Sequence, residues 1–347
     1  MMRLILCAAG VTLLTAACLG SGSSQPRAKA AGRSQASVPS PSASTSGLTA
    51  VSGCPGGRTI TSGTQLQAAL KAAAPGDVLL LAPGTYAGHF VATASGTATA
   101  PITLCGSRDA IIDGGSIKTG YGFHLDGALW WRLVGFTVQG GQKGVVTDHA
   151  DHDLISGLFV HGVGDEGIHL RSFSSDDVVE DVVVRDTGLL HARFGEGIYV
   201  GSARANWCQY SGCGPDTSDR DVIRGSDIAQ TTAENIDIKE GTTGGTIEGN
   251  RLSGAGMVPA AATAWVNVKG NEWTVTGNVG QQSVRDGFQV HEILSGWGER
   301  NVFGGNTAAV DGPGYGFYVQ HASLATRLGC DNAASGAGSG LSNIRCT

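Results

Sequence analysis

The chain reads as an all-β parallel β-helix, and three observations carry that reading. One short pattern recurs eight times: YGFHL at 121–125, KGVVT at 143–147, EGIHL at 166–170, EGIYV at 196–200, ENIDI at 234–238, AWVNV at 264–268, DGFQV at 286–290 and YGFYV at 315–319. The intervals run from 22 to 38 residues, the range of stacked solenoid repeats. Within each repeat the third and fifth positions are apolar or small and the fourth is mostly polar, the period-2 mark of a strand. Finally, 55 of 347 residues are Gly, which suits a coil that must turn sharply at every corner. The uneven intervals mean that some turns of the coil carry loops.

From the N-terminus, residues 1–18 read as a signal peptide: Arg3, an apolar run, then small residues before Cys18. Thr15-Ala16-Ala17-Cys18 is lipobox-like, so Cys18 is the expected lipidation site and the only expected link to a membrane. A plain signal peptide cut near the same place is the competing reading. Residues 19–50, rich in Ser, Ala, Gly and Pro, read as a flexible linker, and 51–347 as the β-helix domain. The expected location is extracellular or at the cell surface. Next, 64–73 is the clearest helix, with Thr64 and Gln67 as a capping box, Leu66, Ala69 and Leu70 on one face, and Pro75-Gly76 as the stop. It is expected to cap the open end of the solenoid. Residues 77–86, 101–106 and 110–115 supply the first strands.

Gly-Asn pairs at 249–250, 277–278 and 305–306, each 28 residues apart, read as an Asn ladder at a coil corner. Six Cys follow Cys18, an even number in an exported chain, and imply disulfides. Proximity pairs Cys208 with Cys213 and Cys330 with Cys346, leaving Cys54 with Cys105, although six Cys allow 15 pairings. The net charge of −6 argues against nucleic acid as a partner. A monomer is expected.

Aligning the eight repeats puts the third and fifth residues inward and the fourth and sixth outward, with the first at the preceding corner. Stacked repeats lie about 4.8 Å apart. Glu166, Glu196 and Glu234 then form a column of carboxylates that wants a cation or a proton, and Ca²⁺ suits such oxygens. A solvated acidic stripe paired with Arg171 and the lysines is the alternative. Lys239 and Lys269 come on successive repeats, and each is expected to lower the other's pKa, which would leave one neutral and able to act as a general base. Asp237, Asn267, Gln289, His291, Tyr199, His169 and Arg171 share the same face and are the expected substrate contacts. Trp207, in the loop 201–223, is a candidate for stacking on a ligand, with packing against the coil as the alternative.

The run from LQAALKAAAPGDVLLLAPGTY to SGTATAPITLCGSRDAIIDGG, at the start of the domain, resembles the opening of right-handed β-helix polysaccharide lyases. It is similar to the alginate lyase and chondroitinase B family, polysaccharide lyase family six, and to the related family nine. The resemblance implies a right-handed, pectin-lyase-like coil. In family six a corner Glu binds calcium and a Lys five residues later is the base; ENIDIK puts Glu234 and Lys239 in those places. Lys269 stands where that family carries Arg, and Thr232 where it carries a second acidic ligand. The resemblance therefore implies β-elimination on an acidic, uronate-containing polysaccharide. Lys239 takes the C5 proton, Lys269 or Tyr199 protonates the leaving oxygen, and calcium or a cationic side chain offsets the uronate carboxylate. Three other functions fit the same fold: a glycoside hydrolase built on Glu196, Glu234 and Asp237, a uronate epimerase, and a non-catalytic glycan-binding lipoprotein of the cell surface.

Overall fold

The computed structural model describes Cys54 and residues 56–347; the signal segment, Cys18 and the 19–50 linker lie outside the described residues. The chain winds through three parallel sheets of 11, 10 and 10 strands, each inner strand hydrogen-bonded to its counterpart one turn earlier and one turn later. All eight repeats fall on one ten-stranded sheet, in register. His124 pairs with Val146, Val146 with His169, His169 with Tyr199, Tyr199 with Asp237, Asp237 with Asn267, Asn267 with Gln289, and Gln289 with Tyr318.

The register follows from sterics. The third and fifth residues of the repeats, from Phe123 and Leu125 to Phe317 and Val319, are buried inside the coil. A one-residue slip would turn every one of them outward. The glycine at the second position has its own cause. A Cβ at Gly167 would lie 2.6 Å from the Gly197 carbonyl oxygen of the next turn, too close for any side chain. Trp265 takes this position in AWVNV because Gly280 beside it leaves room for the indole, which then packs edge-on to Phe288. Phe288 stacks in turn on Phe317 at 5.1 Å.

The N-terminal helix spans Gly63–Lys71 and buries Leu66, Ala69 and Leu70 against the first strands. Its cap differs from the expected one. Ser62, not Thr64, accepts the first-turn N–H, from Gln65, and the Gln65 side chain reaches back to the Thr61 N–H. The Asn ladder is present and one member longer than expected. The Asn278 side-chain oxygen accepts the Asn250 N–H, Asn306 accepts that of Asn278, and Asn332 that of Asn306. The three disulfides join Cys54–Cys105, Cys208–Cys213 and Cys330–Cys346.

Candidate active site

On the repeat-bearing sheet the fourth and sixth positions do point away from the core, but those in the middle turns do not face open solvent. Tyr199 is 7% exposed and Asp237 1%, because neighbouring side chains and two loops cover them. One loop, between Arg185 and Ile198, carries a short 3₁₀ turn at Ala192–Phe194. The other follows Val200 and carries a 3₁₀ turn, Arg204–Asn206, and the helix Trp207–Tyr210. Between the loops lies a cleft of about 180 Å³. Its floor is Lys143, Glu166, His169, Glu196, Tyr199 and Lys239, and its walls include Arg193, Phe194, Ser202, Asn206 and Tyr210.

Asp237 sits between the two lysines. Its Oδ2 is 2.8 Å from Lys239 Nζ, and its Oδ1 takes the Lys269 ammonium. This overturns the expected neutral lysine. Burial works against the Lys239 ammonium, but Asp237, Tyr199 and Glu196 outweigh it and hold its pKa well above the ordinary lysine value. Burial likewise works against the Asp237 carboxylate, and the two lysines outweigh it, so Asp237 titrates below its usual range. Lys239 Nζ also lies 4.9 Å from the Tyr199 ring centroid. Burial pushes the Tyr199 phenol well up, with Lys239 opposing only in part.

The carboxylates that share one space are Glu196, Glu234 and Asp237, with oxygens within 4.8 Å of one another. Glu166 lies close enough to act on Glu196 but outside this group of three, and pairs with Lys143 Nζ at 2.7 Å. Lys143 holds the first repeat position one turn before Glu166, so this pair was legible in the alignment and was missed. Burial, then Glu166, Asp237 and Glu234, raise the Glu196 pKa well above the usual range. Glu196 Oε2 has no hydrogen-bond partner among the described residues. The triad does not fit a resident calcium ion. Both Asp237 oxygens are taken by ammonium groups and Glu234 Oε1 accepts from Asn267 Nδ2, whereas calcium takes six to eight oxygens.

The remaining expected contacts are arranged around this centre. Asn267 Oδ1 lies 2.8 Å from His291 Nδ1; burial and then Lys269 lower the His291 pKa to about 4. Gln289 spends its amide inside the protein, on Asp286 at 2.6 Å and Thr263 at 2.8 Å. His169 is fixed as one neutral tautomer. Its Nε2 faces the Gly201 carbonyl, which only accepts, and its Nδ1 faces the Lys143 ammonium, which only donates. Burial, Lys143 and Arg171 all lower its pKa. Arg171 is bound to Asp148 and lies 4.1 Å from the Tyr210 ring centroid, so it braces the loop from beneath. Trp207 is buried within its own loop and donates to the Ser202 carbonyl, which leaves Tyr210 as that loop's aromatic on the cleft.

A parallel β-helix with a walled cleft of ammonium, phenol and carboxyl groups on one sheet has the make-up of a carbohydrate-acting enzyme. No protein-family model matches the chain, and no curated protein matches it. Among solved structures, an alginate lyase from Paenibacillus sp. str. FPU-7 superposes with a TM-score of 0.76 at 35% identity, over 83% of this chain and 98% of that one. The pectate lyase Pel9A gives 0.64 at 16% identity, over 85% of this chain and 80% of that one. A rhamnogalacturonan lyase gives 0.58 at 15%, over 75% of each. The last two share the fold. On the first, this chain belongs to the right-handed parallel β-helix polysaccharide lyases, the group that the opening of its domain resembles.

Proposed function

We propose that this lyase cleaves a uronic-acid polysaccharide by β-elimination, with Lys239 and Tyr199 exchanging the protons. The observation that carries the reading is their placement: an ammonium and a phenol side by side on the floor of one cleft, 4.9 Å from nitrogen to ring centroid. Lys239, once deprotonated, takes the C5 proton; Tyr199, whose raised pKa keeps its proton, donates it to the departing glycosidic oxygen. Because Asp237 holds Lys239 charged at rest, the active fraction grows as pH rises. Lys269 supplies the positive charge that offsets the substrate carboxylate and the enolate that forms from it. That is the role expected of calcium, and the occupied oxygens of Asp237 favour the lysine.

Three disulfides fit an exported protein. We place the enzyme outside the cell or on its surface, with Cys18 as the candidate anchor, acting as a monomer on an acidic polysaccharide.

The test is ultraviolet absorbance during incubation with a panel of polyuronates, with and without a chelator. Alginate comes first because the 35%-identical relative is an alginate lyase. An unsaturated product that forms equally well in chelator supports the scheme. Loss of the signal in chelator, with recovery on added calcium, would return the charge-offsetting role to the metal. New reducing ends without unsaturation would overturn elimination.

A further inference from the structure

The cations that line the cleft are not equivalent. Lys143 is held by Glu166 and Lys239 by Asp237. Arg193 also lines the cleft, yet it is exposed and has no carboxylate partner among the described residues. Its neighbour Phe194 lines the same cleft and is 54% exposed.

The segment that presents this pair is anchored rather than loose. The backbone N–H groups of Leu189 and Leu190 donate to the Val163 and Gly164 carbonyls at 3.1 and 2.8 Å. The His191 ring is 2.8 Å from a carboxylate oxygen of buried Asp165, which also accepts from Gln142, and it meets the Phe194 ring edge-on at 5.8 Å. Phe194 N–H closes the turn on the His191 carbonyl. Two residues later the chain enters the floor of the cleft at Glu196. A flat apolar ring and an unpaired guanidinium on one rigid rim are the two features needed to recognise an acidic sugar, one stacking on its face and the other pairing with its carboxylate.

Resting on the elimination reading above, we propose that Arg193 and Phe194 form a second uronate subsite, which binds a sugar next to the one being cleaved. It makes the enzyme select for runs of consecutive uronates over polymers in which uronates are isolated between neutral sugars.

Two measurements test it, and only one needs turnover. In affinity electrophoresis through gels containing a homopolyuronate, Arg193→Gln and Phe194→Ala are expected to weaken retardation about tenfold, while Arg193→Lys and Phe194→Trp retain most of it. In steady-state assays the first two variants raise KM about tenfold on the homopolymer with kcat nearly unchanged, the pattern of lost uniform binding. Retardation and KM equal to wild type in both variants would overturn the subsite. If the wild type binds a polyuronate through Arg193 but eliminates none, the subsite stands and the elimination reading falls. If it eliminates but both variants behave as wild type, the reverse holds. Both side chains are exposed, so neither truncation threatens the fold.

Discussion

Two polar columns run down this coil, and they differ in kind. At one corner Asn250, Asn278, Asn306 and Asn332 stack with each amide satisfied by the next. On the repeat-bearing sheet Glu196, Glu234 and Asp237 crowd together, leave Glu196 Oε2 without a partner among the described residues and draw in two lysines. The asparagines and the pair Glu196 and Glu234 come from the same operation, repeating a side chain about every 4.8 Å, and Asp237 joins the pair from the fourth position of the Glu234 repeat. The amide carries donor and acceptor together, so a stack of amides is complete in itself. The carboxylate only accepts, so a stack of carboxylates must recruit cations or protons. The first column therefore serves the fold, and the second keeps reactive groups under tension from their neighbours.

The strongest way to break this distinction is Lys239→Ala. If the acidic column is the active centre, kcat/KM of the folded enzyme drops by about a thousandfold or more, the scale of a lost proton-transfer group, while circular dichroism keeps its β-sheet signature and stability falls with the loss of one partner of buried Asp237. Activity within a factor of about three of wild type would remove Lys239 from the chemistry. Asp237→Asn sharpens the same point. Taking the carboxylate from between two buried ammonium groups should cost about 3–5 kcal/mol in stability, read by denaturant unfolding. In the fraction that folds, the loss of the negative charge lowers the Lys239 pKa. The rising alkaline limb of kcat/KM against pH should then move to lower pH, and a limb that stays put would mean that it reports another group.

Asn278→Ala addresses the other column and should lower stability alone. It strips an acceptor from the Asn250 N–H and a donor from the Ile247 carbonyl, both in the dry interior of the corner. The expected loss is about 1–3 kcal/mol for each group left bare, measured as a lower denaturation midpoint, with kcat/KM unchanged. A fall in activity without a fall in stability would mean that the ladder contacts substrate after all.

The repeat made the strand register legible because it is set by inward size: Phe123, Ile168, Ile236 and Phe288 admit only one pairing with the next turn. The alignment likewise stacks Glu196 on Glu234, but it adds Glu166, which pairs with Lys143, and leaves out Asp237, which joins from the fourth position. What the pattern does not encode is which outward side chains reach one another. Lys239 and Lys269 read as mutual neighbours, yet Asp237 lies between them and turns the Lys239 shift upward. Arg193 and Phe194 carry no repeat signal at all, because they sit in the extra loop that stretches the interval between the repeats at 166 and 196 to 30 residues. Loops report only their length in such a pattern, and here a loop builds one wall of the cleft.

A third column tests how far the comparison extends. Asp153, Asp177 and Asp221 open HDLIS, DDVVE and RDVIR on the eleven-stranded sheet and stack as the asparagines do. Each of the first two donates its N–H to the next carboxyl, at 2.8 and 2.9 Å. All three Oδ2 atoms are buried without partners among the described residues. Burial, then Asp221 and Asp153, raise the Asp177 pKa well above the usual carboxyl value. The folded form therefore holds a proton that the unfolded chain gives up. The sign follows: stability is fullest below the unfolded carboxyl pKa, near 4, and is lost as pH rises toward the folded value. Asp177→Asn replaces the proton-dependent group with the amide used at the other corner. The melting temperature of the wild type should fall between about pH 5 and about pH 8 by more than that of Asp177→Asn, which should be the more stable at the upper end. Equal pH dependence in the two proteins would mean that the buried carboxyls remain charged. Carboxylates could then stack without lysines or protons, and the distinction drawn between the first two columns would fail.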